Sequence, residues 1–229
     1  SAEILEKQSK ELGFLFYANK SNAGYAVGNN IGIRYGIENR YQYTWILNND
    51  VELRDSNVLL HMVQKGESNK KIGCLGPKIY TLDGSACAPY CNRPTVWRMT
   101  LGIAQERKNR AKYIDTPREV YRVYGCCMLL KNEAMKVVDC MDERTFLYGE
   151  EDILAERLAS KLYVTFYDSE VGVVHKESSS MKRMSKNRKQ MQIRETNKSM
   201  ELYLKEYRHY PWLIRKACMA TRNLITLVR

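Results

Sequence analysis

Residues 145–152, TFLYGEED, end in three consecutive carboxylates, Glu150, Glu151 and Asp152, directly after an aromatic-rich run. Adjacent acids repel one another, so their placement calls for a cation, a substrate proton or plain solvent exposure. They can equally be the negative first turn of a helix, favourable with its dipole and without function. Asn48, Asn49 and Asp50 follow the apolar run YTWIL; there Asp50 can reach a divalent cation that also binds substrate phosphates, or act as a turn or capping residue. His175 closes the run VGVV, as a candidate ligand or as an ordinary surface or core histidine. In SNAGYAVGNN, Gly24 and Gly28 permit a tight turn before a helix whose first amides suit a phosphate, although Gly and Asn are also common turn residues. Together these groups suggest a site for metal-assisted transfer.

Such groups need a scaffold, and the hydrophobic pattern supplies one. Helices are predicted over 2–12, 26–39, 55–65, 132–138 and about 151–161, strands over FLFYAN (14–19), YTWIL, VYRVYGCCMLLKN and KLYVTFYDSEVGVVH, and a strand pair or bend over KIGCLGPKIYT. Residues 93–116 give few signals. Strands alternating with helices predict an α/β fold with a mostly parallel central sheet, whose ligands gather at the carboxyl ends of the strands, where Asp50 and His175 lie.

The 229 residues, 44% hydrophobic, suffice for a sizeable core and exclude a disordered chain. Seven cysteines, odd in number and mostly within apolar runs, point to a reducing compartment. Cys87 and Cys91 lack a second pair to complete a zinc set and read as plain thiols. No run approaches the length of a membrane span, so the chain is expected in the cytoplasm, or held at the inner face of the membrane peripherally. The net charge of +11 is uneven: residues 176–229 hold 14 Lys and Arg against four Glu. That shift, after Ser178, Ser179 and Ser180, divides the chain into 1–180, which carries the candidate site residues, and 181–229, a basic helical tail.

Five blocks in order carry a resemblance: NKSNAGYAVGNNIGI, YTWILNNDVEL, KIGCLGPKIYTLDG, YGCCMLLKNEAMKVVDCMDERTFLYGEEDILAERL and VVHKESSS. The chain resembles the family 2 glycosyltransferases, in particular the rhamnosyltransferase-like branch of bacterial cell-surface polysaccharide synthesis. The resemblance implies a GT-A fold and transfer, with inversion, of a sugar from a nucleotide-diphospho-sugar to a hydroxyl of a glycan or lipid-linked acceptor. It implies that Asp50, with His175, holds Mg2+ or Mn2+ on the donor diphosphate, and that Asn48 stands where many relatives have Asp. Glu151 matches the general base, with Glu150 and Asp152 as neighbours that leave the choice among the three open. Asn22, Gly24, Asn30, Asn48 and Asn49 match the donor side, and Gly125, Cys126 and Cys127 the acceptor side. The chain starts after the strands with which relatives open their nucleotide pocket, and omission of those strands is the expectation.

In the tail, Arg215, Arg222 and Arg229 recur every seven residues, opposite Leu213, Ala217, Ala220, Leu224 and Val228. This amphipathic helix, residues 211–229, could lie on an anionic membrane, or pack on the catalytic domain or on the partner of a homodimer. The segment MKRMSKNRKQ reads as a solvated stretch over the site mouth. Two rival readings are a noncatalytic subunit of the same fold and a basic nucleic-acid-binding module; confinement of the charge to the tail argues against the second, and no nucleic acid is expected as a partner.

Overall fold

The computed structural model describes residues 2–101, 114–176 and 186–228. The chain runs α1 (Ala2–Leu12), α2 (Tyr25–Glu38), β1 (Tyr43–Leu47), β2 (Val51–Glu52), α3 (Val58–Ser68), β3 (Ile72–Tyr80), β4 (Ala86–Cys87), α4 (Val96–Leu101), β5 (Arg118–Val120), β6 (Cys127–Lys131), α5 (Asn132–Val137), α6 (Glu150–Ser160), β7 (Val164–His175), α7 (Lys186–Leu202), a widened π-helical turn (Tyr203–Tyr207) and α8 (Trp212–Val228).

Seven strands form one sheet in the order β1-β6-β3-β7-β2, with β4 beside β3 and β5 beside β7. The α/β class is as expected, but the strand directions are not. Among the described strands only β3 and β7 run parallel; the other pairs are antiparallel. Parallel neighbours need a crossover that carries the chain back along the sheet between them. Helix–strand alternation shows that such crossovers exist, not which strands they make neighbours, and β6 enters between β1 and β3 running against both.

Alternation along the strands sorts the core into two faces. Met128 and Leu130 of β6 pack with Ile33 of α2, Met135 of α5, and Leu154 and Leu158 of α6; Leu129 and Leu75 turn the other way, to Val58 and Met62 of α3. A third cluster joins Ile153 of α6 to Tyr203, Leu204 and Cys218, so the tail is docked on the body by a small apolar core of its own. The expected boundary after residue 180, and residues 181–185, lie outside the described residues.

Residues 14–19 form no strand, and Phe14, Leu15 and Tyr17 are exposed. A short apolar run becomes a strand only beside a partner, and no described strand pairs with this segment. None of the seven cysteines is in a disulfide. Among the described residues, no helix is long and apolar enough to cross a membrane.

Candidate active site

A cleft of about 520 Å³ opens where the carboxyl ends of β1 and β7 meet the start of α6. Pairing of β2 with β7 sets Val51 opposite His175, and the Lys176 amide donates to the Asp50 carbonyl at 2.8 Å. This register brings Asp50 Oδ1 to 3.2 Å from His175 Nε2. Neither atom has a hydrogen-bond partner, although both are shielded from water. Two orphaned ligand atoms at this spacing suit a shared divalent cation, since cis ligands on bonds of about 2.1 Å stand about 3 Å apart. Asn48 lies beside them in the cleft wall, its amide fixed at 2.9 Å on the Cys126 carbonyl.

The three acids enter from the opposite wall. Gly149, with φ of 94°, makes the left-handed turn that starts α6, and Glu150, Glu151 and Asp152 occupy the first turn, where the helix dipole favours negative charge. Each meets different surroundings. Glu150 is buried, its Oε1 has no partner, and burial, opposed by backbone amides and reinforced by the neighbouring Glu151 and Asp152, pushes its carboxyl up to about 7. Glu151 Oε1 accepts from the Gly125 amide at 3.2 Å. Asp152 accepts from Arg122 Nε at 3.0 Å, and that guanidinium stacks 3.4 Å above the Tyr90 ring centroid. Gly125 lets the two side chains come close: a Cβ there would stand 2.6 Å from Glu151 Oε1 and 3.1 Å from the Tyr25 hydroxyl, which donates to the Gly125 carbonyl, so a larger residue would displace the Glu151 carboxylate.

Asn48, Gly125, Cys126, Glu150, Glu151, Asp152 and His175 thus share one cleft, with Asp50 against His175. Four expected residues do other work. Asn30 is fully buried and does not line the cleft; its amide nitrogen donates to the Met141 carbonyl and Glu143, and its oxygen accepts from the Met141 amide, so it staples α2 to the loop before α6. Gly24 packs its backbone on Phe146, and the Tyr25 amide, at the start of α2, donates to the Phe146 carbonyl at 2.9 Å; Gly28, expected in the turn before the helix, lies inside α2, its amide donating to the Gly24 carbonyl at 3.1 Å. Asn22 accepts from the Gly24 amide at 3.1 Å as a turn residue. Cys127 points into the core on the α3 side, the face it shares with Leu129 two residues on. Asn49 is exposed at the turn.

Sequence reasoning missed Arg122, Tyr90 and Tyr25, and the part of the tail beyond residue 190. Thr196, Ser199, Met200 and Tyr203 complete the cleft wall. Tyr203 donates at 2.9 Å to Glu156, a carboxylate that burial would raise but that hydrogen bonds from Arg93, Tyr121 and Tyr203 hold below its ordinary range. The arginine inside VYRVYG was a usable signal, because a charge within an apolar run requires a partner.

No protein-family model and no curated protein matches the sequence. Solved structures do. A crystal structure of GalNAc-T7 with UDP, GalNAc and Mn2+ matches 76% of this chain with a TM-score of 0.54 at 16% identity. The mannosyltransferase PcManGT from Pyrobaculum calidifontis, in complex with GDP-Man and Mn2+, matches 96% of it with a TM-score of 0.55 at 11% identity. The chain has a GT-A fold. It spans 34% and 54% of the lengths of those two structures. Within this GT-A fold, His175, with Asp50 against it, lines the same cleft as the three acids.

Proposed function

We propose that the chain is the catalytic part of an inverting glycosyltransferase of the family 2 type, taking a sugar from a nucleotide-diphospho-sugar to an acceptor hydroxyl. The observation that carries the reading is the juxtaposition of an orphaned carboxylate–imidazole pair with three carboxylates at a helix start. Both structural neighbours are complexes with Mn2+ and a nucleotide or nucleotide-sugar, and Asp50 and His175 suit Mn2+ or Mg2+ completed by donor phosphates and water. When bound, that ion offsets the charge that develops on the leaving diphosphate.

Asp152 is committed to Arg122 and Glu150 is shut in, which leaves Glu151, oriented by the Gly125 amide, as the base. Glu151 takes the acceptor hydroxyl proton while that oxygen bonds to the anomeric carbon and the bond to the diphosphate breaks, the electron pair leaving with the phosphate. A single displacement inverts the centre and needs no enzyme nucleophile. The acceptor side is formed by Gly125 and Cys126, and a glycan or lipid-linked acceptor of a bacterial surface polysaccharide at the cytoplasmic membrane face is the proposed context. Burial of Arg215 and the inward hydrogen bonds of Arg222 count against a nucleic-acid module, since arginines committed inward cannot reach phosphates.

The test is the thermal stability of the chain against a panel of nucleoside diphosphates and nucleotide-sugars, with and without Mn2+. A Mn2+-dependent rise for one nucleotide class is expected. No rise with any of them, in protein that melts cooperatively, would leave a noncatalytic GT-A subunit as the better reading.

A further inference from the structure

The face of the sheet beneath α3 carries a cluster that glycosyl transfer does not use. The register between β3 and β7 jumps from Pro77 opposite Asp168 to Lys78 opposite Gly172, so β7 bulges between them. There His61 Nε2 of α3 lies 3.2 Å from Glu170 Oε2 and 3.3 Å from Asp168 Oδ2. Only the Glu170 contact has hydrogen-bond geometry. Asp168 is fully buried; its Oδ1 accepts from the Glu170 amide at 3.1 Å, while Oδ2, turned toward His61, has no hydrogen-bond partner. One imidazole nitrogen carries at most one hydrogen, and its hydrogen-bond geometry is spent on Glu170, which leaves Asp168 Oδ2 unsatisfied. A cation among the three can.

We propose that His61, Asp168 and Glu170 form a Zn2+ site, separate from the Asp50–His175 pair, that fastens α3 to the β7 bulge. One imidazole and two carboxylates are a zinc donor set, and tetrahedral bonds of 2.0–2.1 Å put ligand atoms about 3.3 Å apart. The three ligand atoms lie within 4.8 Å of one another. His61 is half-buried and Glu170 exposed, which leaves an entry path and room for a water as fourth ligand. The competing cation is Lys65, whose ammonium stands 2.8 Å from Glu170 Oε2; the second oxygen of that carboxylate remains available to it once the first binds metal.

The experiment uses the full chain, stripped with a chelator and carrying Asp50→Asn to silence the other candidate site. Co2+ is titrated as an optical stand-in and then displaced by Zn2+. One equivalent is expected, with d–d absorption of a tetrahedral nitrogen–oxygen site, no thiolate charge-transfer band, and a higher melting temperature. His61→Gln, Asp168→Asn and Glu170→Gln should each weaken binding at least tenfold, whereas Lys65→Ala should tighten it. Asp168→Asn keeps the side-chain shape and removes a buried charge, so its metal-free form should melt no lower than the parent; Glu170→Gln changes an exposed group and serves as the control for folding. Unchanged binding in the three ligand variants, a thiolate band, or no saturable binding in protein that melts cooperatively would each overturn the site and leave a metal-free ion-pair cluster.

Discussion

Glu150, Glu151 and Asp152 are neighbours in sequence, yet one is shut in, one is held by a backbone amide and one is paired with a stacked guanidinium. Their substitutions should therefore separate. Glu151→Gln is expected to lower turnover by roughly 10² to 10⁴ while leaving nucleotide-induced stabilisation intact; normal turnover would remove Glu151 as the base. Glu150 titrates near 7 when folded against an ordinary 4.5, so the folded state holds its proton more tightly than the unfolded state. Stability is then greatest below the unfolded value and falls as pH rises through the folded one. Glu150→Gln abolishes that fall: it should match the parent near pH 4 and exceed it by up to about 3 kcal/mol near pH 8, read by denaturant melts at both pH values. Parallel melts across that range would show that the carboxyl is not so perturbed. The acids, Asp50 and His175 were legible because each interrupts or ends an apolar run. Asn30 was not, because what it holds lies 111 residues away at Met141 and nothing local marks it. Asn30→Ala should cost about 2–4 kcal/mol by leaving the buried amide and carbonyl of Met141 unpaired, with no change in nucleotide affinity in the protein that still folds.

Helix α8 shows how far periodicity reaches at the scale of an element. Its repeat identified an amphipathic helix, but the faces are the reverse of what charge alone suggests. Arg215 is buried 3.2 Å from Glu201, Arg222 donates to Asn197 and to the Met99 carbonyl, and Cys218 lies between them in the core, while Leu213 and Leu224 are exposed. The arginines face inward because α4 and α7 offer them a carboxylate, an amide oxygen and a carbonyl. Arg222→Ala should therefore lower stability by about 1–3 kcal/mol. Leu213→Ser with Leu224→Ser should change it by no more than about 0.5 kcal/mol per site. The same pair tests the membrane proposal: loss of binding to anionic vesicles supports it, and binding unchanged from the parent refutes it. The segment at 14–19 makes the complementary point, since its short aromatic and apolar run suits a strand and only a neighbouring strand could have made it one.

For the whole molecule, alternation of helices and strands predicted the α/β class but not the sheet order, which depends on pairings between distant segments such as β1 with β6. Composition marked the tail as a separate piece, whereas Ile153, Tyr203, Leu204 and Cys218 bind it into the body. Leu204→Ala should cost about 2–5 kcal/mol, a core-sized loss at a position that composition assigned to an appendage. Ser199 and Tyr203 of that tail stand in the same cleft wall as Glu150 and Glu151. A ligand that touches both walls must then grip the tail by the same factor by which a loosened tail weakens the ligand, since the coupling is reciprocal. Occupancy of the cleft becomes readable at a distance, as slower protease release of residues 186–228.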